Sequence, residues 1–147
     1  MKVARNGGFT LLEMLVVLSV VLLLSVLAVP AFGGAVRQQE EAHMLAVLRV
    51  DLYSAQQHAI AHRRKVSVFF SNGRGEYRAV EGGSGRTVVV RSLPAPWRFQ
   101  LGTLRNPLIF TDNGNIEQAG TVWVKSGRGS YKVTFLLGKG RFYVQKM

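Results

Sequence analysis

The sequence predicts an α+β protein. A long N-terminal α-helix, its first half apolar enough for a membrane, packs its second half on a C-terminal antiparallel β domain. Three observations predict it. An almost unbroken apolar run fills residues 9–32. Apolar residues then recur at spacings of three and four. Beyond Lys65 the period drops to two, punctuated by Gly- and Asn-rich turns.

The length of 147 residues suits one modest domain. Hydrophobic residues make up 48% and charged residues 18%, and most of the apolar excess sits in the first run. There is no cysteine, which excludes disulfides, thiol catalysis and Cys-based metal sites and leaves the redox compartment unread. The net charge of +11 favours polyanionic surroundings: nucleic acid, anionic lipid or an acidic wall. Plain solubility charge is the alternative.

The first element opens with Lys2 and Arg5, then Gly7-Gly8, then Phe9-Thr10-Leu11-Leu12-Glu13-Met14-Leu15. From Met14 to Pro30 only Ser19 and Ser25 are not apolar. At 1.5 Å per residue the run can cross a hydrocarbon core of roughly 30 Å. The positive charges precede it and none follows until Arg37, so the positive-inside rule puts the N-terminus in the cytoplasm and the rest outside. A secretory signal fits badly, because its small-residue cleavage site follows the apolar stretch. Here the small-residue junction, Gly7-Gly8-Phe9, precedes it, so cleavage there would remove a basic leader and leave the helix attached. Glu13 interrupts the run. A carboxylate at such a place costs a few kcal/mol and marks either a function or an acid snorkelling at the membrane edge.

Gly8-Phe9-Thr10-Leu11-Leu12-Glu13-Met14-Leu15 resembles the prepilin processing motif of type IV pilins and type II secretion pseudopilins. The resemblance implies that a prepilin peptidase cuts after Gly8 and that Phe9 becomes an N-methylated first residue. It also implies that Glu13 pairs with the N-terminal amine of a neighbouring subunit. An ammonium and a carboxylate brought together in low dielectric offset each other's desolvation. Pro30 matches a position where such helices carry a proline, which lacks an N–H and can bend the helix. The expected organisation is a leader over 1–8, a transmembrane helix over 9–32, an amphipathic helix half over 33–64 and the β domain over 65–147.

The second helix half resumes after Gly33-Gly34. Ala42, Leu45, Leu48, Leu52, Ala55 and Ala59 form its apolar stripe, with Arg49, Gln56 and Arg63 opposite. His62, Arg63, Arg64 and Lys65 complement the dipole at its C-terminus, or form a binding cluster. Strands are expected at Val66–Phe70, Glu76–Val80, Val88–Val90, Trp97–Leu101, Leu108–Thr111, Thr121–Lys125, Tyr131–Leu137 and Arg141–Gln145. Turns are expected at Asn72–Gly75, Gly82–Gly85, Leu93–Pro96, Asp112–Asn115 and Gly138–Gly140.

Phe110–Ile116, Ala119–Val122 and Leu136–Phe142 resemble the GspH/FimT-like group of pilins and the minor pilins of Gram-positive competence systems. That resemblance implies a subunit of a pilus that draws DNA to the membrane uptake machinery. Its partners would be other pilins, the prepilin peptidase, the membrane and DNA. It would be a single-pass membrane protein until assembled at the cell surface. The alternatives are a GspH-like minor pseudopilin of a type II secretion system and a DNA-binding FimT-like minor pilin. Some DNA-binding FimT-like pilins carry a second Arg two residues after the terminal Gly-Arg, and here that position is Tyr143, a departure from that pattern. The exported segment 37–147 carries a formal charge of +10 from 17 Lys/Arg and 7 Asp/Glu. Arg98, Lys139 and Arg141 are candidate phosphate contacts, and Tyr143 is a candidate base-stacking residue.

His58 and His62 lie four apart on the helix, but no third ligand is near and Arg63-Arg64-Lys65 repels cations, so no metal site is expected. Gly138-Lys139-Gly140 lacks the upstream Gly and the Ser/Thr of a phosphate-binding loop. No nucleophile–base pairing stands out, so neither an enzyme nor a cofactor is expected.

Overall fold

The computed structural model describes residues 9–147 apart from Arg128 and Lys139, with the side chains of residues 26–37 also outside the description. Two compact units divide the chain after Glu40.

Helix α1 spans Leu11–His62. Its backbone stays helical through Pro30 and Gly33-Gly34, where the sequence suggested an interruption. A proline, at about 3 kcal/mol, and two glycines, at about 1 kcal/mol each, do not stop a helix already nucleated on both sides. In the first unit the side chains from Leu11 to Ser25 are exposed all round the helix. Ser19 and Ser25 donate their hydroxyls to the carbonyls of Leu15 and Val21, both at 2.8 Å. The two serine hydroxyls of this segment are therefore satisfied within the helix.

In the second unit eight strands follow the helix: β1 Val66–Phe70, β2 Glu76–Glu81, β3 Thr87–Ser92, β4 Arg98–Leu101, β5 Leu108–Phe110, β6 Gly120–Lys125, β7 Ser130–Phe135 and β8 Phe142–Lys146. All eight expected strands are present. Leu136 and Leu137 fall outside β7, where the chain turns through Gly138, at a φ of 86° open to glycine. The strands form two antiparallel four-stranded sheets, in the orders β3-β2-β1-β5 and β4-β6-β7-β8. Asn106 extends the first ladder with its side chain, donating to the Phe70 carbonyl at 2.8 Å and accepting from the Phe70 N–H at 3.0 Å.

Alternation puts one face of each sheet inward. Val66, Val68 and Phe70 of β1, Val122 and Val124 of β6, and Val133 and Phe135 of β7 join Leu48 and Leu52 of the helix in one core. Phe70 lies among the rings of Phe99, Tyr77 and Phe135, with centroids 5.2, 6.1 and 6.4 Å away. The helix stripe is realised by Leu48, Leu52, Ala55 and Ala59. Ala42 is exposed, because the packed contact starts a turn later at Met44 and Leu45. Gln56, expected on the solvent side, is buried. Its amide donates to the carbonyls of Gly114 (2.8 Å) and Gly140 (3.5 Å), two turns that approach the helix too closely for any side chain. A Cβ at Gly140 would collide with Gln56 and with the Gly114 carbonyl.

Candidate functional site

The N-terminal candidate begins at Phe9, which is exposed, and Gly8 lies outside the described residues. The Thr10 hydroxyl accepts the Glu13 N–H at 3.2 Å, and the Thr10 carbonyl accepts the Met14 N–H at 3.1 Å. Thr10 is thus the N-cap of α1, and Glu13 is the third residue of its first turn. Thr-x-x-Glu is a capping-box signature that the sequence reading passed over. The Glu13 carboxylate is exposed and, among the described residues, has no hydrogen-bond or ion-pair partner. Pro30 lies in the helix, with its side chain outside the description. Among the described residues no helix is long and apolar enough to cross a membrane. The described apolar side chains, Leu11 to Ser25, cover about 22 Å of helix, and the rest of the run falls where side chains are not described.

The helix is fastened to the sheets by three polar clusters. Asp51 is buried and takes a two-pronged ion pair from Arg91 of β3, at 2.9 and 3.1 Å, and the Tyr77 hydroxyl at 2.5 Å. Burial first, then the bond to Asp51, pushes the Tyr77 phenol up, and the same carboxylate pushes the Arg91 guanidinium up. Glu81 receives His58 at 2.7 Å, Ser84 at 2.8 Å and Arg64 at 3.4 Å. The His58 bond, then the Ser84 bond, holds its carboxyl below the ordinary range. Glu41 accepts the Tyr131 hydroxyl at 2.6 Å and the Ser126 hydroxyl at 2.9 Å. Burial and that bond push the Tyr131 phenol up to about 12.

The basic cluster after the helix is not simply a dipole cap. Arg64 pairs with Glu81, and Lys65 pairs with Glu117 at 2.8 Å, a bond that pushes the Lys65 ammonium up. His58 and His62 stack at 3.9 Å, and His62 bonds the His58 carbonyl at 3.1 Å. Among the described residues no three His, Cys, Asp or Glu converge as metal ligands.

Of the four candidate DNA contacts, Lys139 lies outside the described residues. Arg141 is exposed at the turn before β8. Arg98 on β4 and Tyr143 on β8 sit at opposite edges of the second sheet but share its outward face. Between them, on the same face, lie Lys132 of β7 and, not singled out by the sequence reading, Trp123 and Lys125 of β6. The alternation Thr121-Trp123-Lys125 carried the signal, but only the pairing register aligns the rows: Arg98 with Lys125, Trp123 with Lys132, Thr134 with Tyr143. The Lys132 ammonium sits 5.9 Å from the centre of the Trp123 ring.

The family model for the prokaryotic N-terminal methylation motif matches residues 3–29. Competence protein ComGD of Bacillus subtilis (strain 168) is 34% identical over 150 residues, covering 99% of this chain and 97% of the relative. No solved structure matches the chain. The helix with its methylation motif, the β unit behind it and identity along nearly the whole of both chains agree: this chain belongs to the ComGD family of type IV pilin-like proteins.

Proposed function

We propose that the chain is a minor pilin of a competence filament, a structural subunit and not a catalyst. The observation that carries this reading is the identity to a competence protein along 99% of the chain, joined to the methylation motif at its start. The relative's name favours DNA uptake over the secretion alternative. In this reading residues 1–8 are a leader that a prepilin peptidase removes after Gly8, and Phe9 is the methylated first residue. Residues 9–32 hold the chain in the membrane, N-terminus inside, until it enters the filament at the cell surface. Pro30 lets the helix bend as it does so. Residues 33–64 carry the β domain of 65–147.

The capped helix start supports a role for Glu13. Its backbone is already satisfied by Thr10, so its carboxylate is free to meet the amine of a neighbouring subunit. Glu13→Ala should leave membrane retention intact, because it makes the helix more apolar, and should abolish recovery in sheared filaments.

Deleting the chain from its host should abolish transformation, with re-expression restoring it. Gly8→Trp should accumulate as an uncut membrane protein by N-terminal mass spectrometry and should fail to restore transformation. Normal maturation of Gly8→Trp, or unchanged transformation in the deletion strain, would overturn the reading.

A further inference from the structure

We propose that the outward face of the β4-β6-β7-β8 sheet binds single-stranded DNA. The phosphates would lie over Arg98 and Lys125, and unpaired bases would lie against Tyr143 and the Trp123–Lys132 pair. The choice of DNA as the polyanion rests on the competence reading above; the site itself rests on charge and geometry.

The charge is one-sided. No Asp or Glu follows Glu117, and none occurs in the four strands of this sheet. The other sheet carries Glu76 and Glu81 against Arg78 and Arg91, so its strands balance. The ion pairs found among the described residues join the helix and the segments after it to Glu81, Glu117 and Arg91. None of them involves Arg98, Lys125 or Lys132. Counterions or a polyanion must therefore neutralise this face.

The arrangement is specific. Arg98 and Lys125 are direct cross-strand partners, and Ser130 is next in the same row. Two cations opposite each other weaken a sheet unless an anion lies between them. They line an open recess of about 510 Å³ with the β6–β7 hairpin and Met147, where a phosphate has two cations and a hydroxyl within reach. Along the next row Gln100, Trp123, Lys132 and Gln145 stand side by side across all four strands. At the far edge Tyr143 is 43% exposed. The face spans three strand spacings, about 14 Å.

A flat sheet carrying aromatics among cations meets bases by their π faces, which stacked duplex bases do not offer. Duplex DNA would meet only the phosphate row. A phosphate polymer without bases would meet the same row and gain nothing from Tyr143 or Trp123. Those differences define the test.

The full chain, held in neutral detergent micelles, is titrated against a labelled single-stranded oligonucleotide and against its duplex, with fluorescence anisotropy as readout. Inorganic polyphosphate of matched charge serves as competitor. The single strand should bind more tightly than the duplex and resist polyphosphate. Tyr143→Leu should weaken single-strand binding about tenfold and leave duplex binding within twofold. Arg98→Gln with Lys125→Gln should weaken both, and should reduce the slope of log affinity against log salt for the single strand by about 1.4, or 0.7 per lost phosphate contact. Arg78→Gln, which removes one charge from the outward face of the other sheet, should change affinity less than twofold. All these residues are solvent-accessible or half-buried, and near-UV circular dichroism checks that each variant is folded. The proposal is overturned by absent binding at low salt, by polyphosphate displacing the single strand as well as DNA does, or by Tyr143→Leu without effect. It is equally overturned if Arg78→Gln costs as much as the double variant. A chain that fails here, but whose deletion still abolishes transformation, loses this face and keeps its place in the filament.

Discussion

The two halves of α1 obey opposite rules. From Leu11 to Ser25 every side chain is exposed and nearly every one is apolar, with Leu12 at 72% and Leu23 at 68%. From Glu41 to His62 one face is sealed, with Ala59 at 0%, and that face includes Asp51 and Gln56. A helix that is apolar all round finds its partner outside its own domain; one with a narrow apolar stripe and buried polar groups is bolted to its own sheets. The first half therefore serves an environment and the second half a fold. Substitutions in the two halves should be separable by what they damage.

The largest contrast is between Leu52 and Leu18. Leu52→Ala removes a fully buried side chain from the core formed with Phe70, Phe99 and Val133, and should cost about 3 kcal/mol of β-unit stability. Leu18→Ala should leave that stability unchanged, because Leu18 is 62% exposed and is not among the core residues. Chemical unfolding of the full chain in micelles, followed by Trp and Tyr fluorescence, measures both. A comparable loss in Leu18→Ala would break the contrast. Asp51→Asn comes next, at about 2 kcal/mol in the same assay. It weakens the charge that holds Arg91 and Tyr77, while the half-exposed Arg91 recovers some hydration.

Much of this division was legible in the sequence. The strands showed because each buries one face, so Val66-Val68-Phe70 and Val122-Val124 read out the period directly. Pairing order did not show. Nothing local tells β5 to return beside β1, or β4 to leave for the second sheet. The polar bolts were equally hidden, since Glu41 meets Tyr131 across 90 residues and His58 meets Glu81 across 23. Gln56 misled the stripe because its burial is set by two carbonyls far along the chain, at Gly114 and Gly140. Arg98 and Tyr143 stood out as candidates by residue type, whereas the placing of Trp123, Lys125 and Lys132 between them on one face follows only from the register.

The bolts also sharpen the contrast through pH. The folded Glu81 carboxyl is held below its ordinary value of 4.5, so the native state binds fewer protons than the unfolded chain around and below that pH. Its contribution is full above that range and is lost as pH falls. Glu81→Gln should flatten the acid limb of a stability profile below about pH 4.5. Tyr131 works at the other end. Its phenol, raised from 10.0 to about 12, contributes fully below pH 10.0 and loses that contribution as pH rises towards 12. Tyr131→Phe should remove that alkaline decline. Thermal midpoints of each variant against pH give the answer, and an unchanged acid limb in Glu81→Gln would count against the His58–Glu81 bolt.

The smallest effect concerns where the second half stops. Arg63 follows the helix with φ at 51°, in the left-handed region. The Arg64 N–H donates to the Ala59 carbonyl at 3.1 Å and the Arg63 N–H to the Ile60 carbonyl at 3.4 Å. That is a Schellman stop, a position that usually holds glycine. An L-residue there carries roughly 1 kcal/mol of steric cost from its Cβ. The Arg63 side chain is exposed, so Arg63→Gly removes the cost and gives up no described contact. Glycine's greater freedom in the unfolded chain returns part of the gain. The β unit should gain about 0.5 kcal/mol, a rise of about 2–4 °C in Tm for a unit of this size. Glu13→Ala, at the other end of the same helix, should leave that Tm where it is. A fall in Tm for Arg63→Gly would mean that the guanidinium holds the helix end by a contact worth more than the strain.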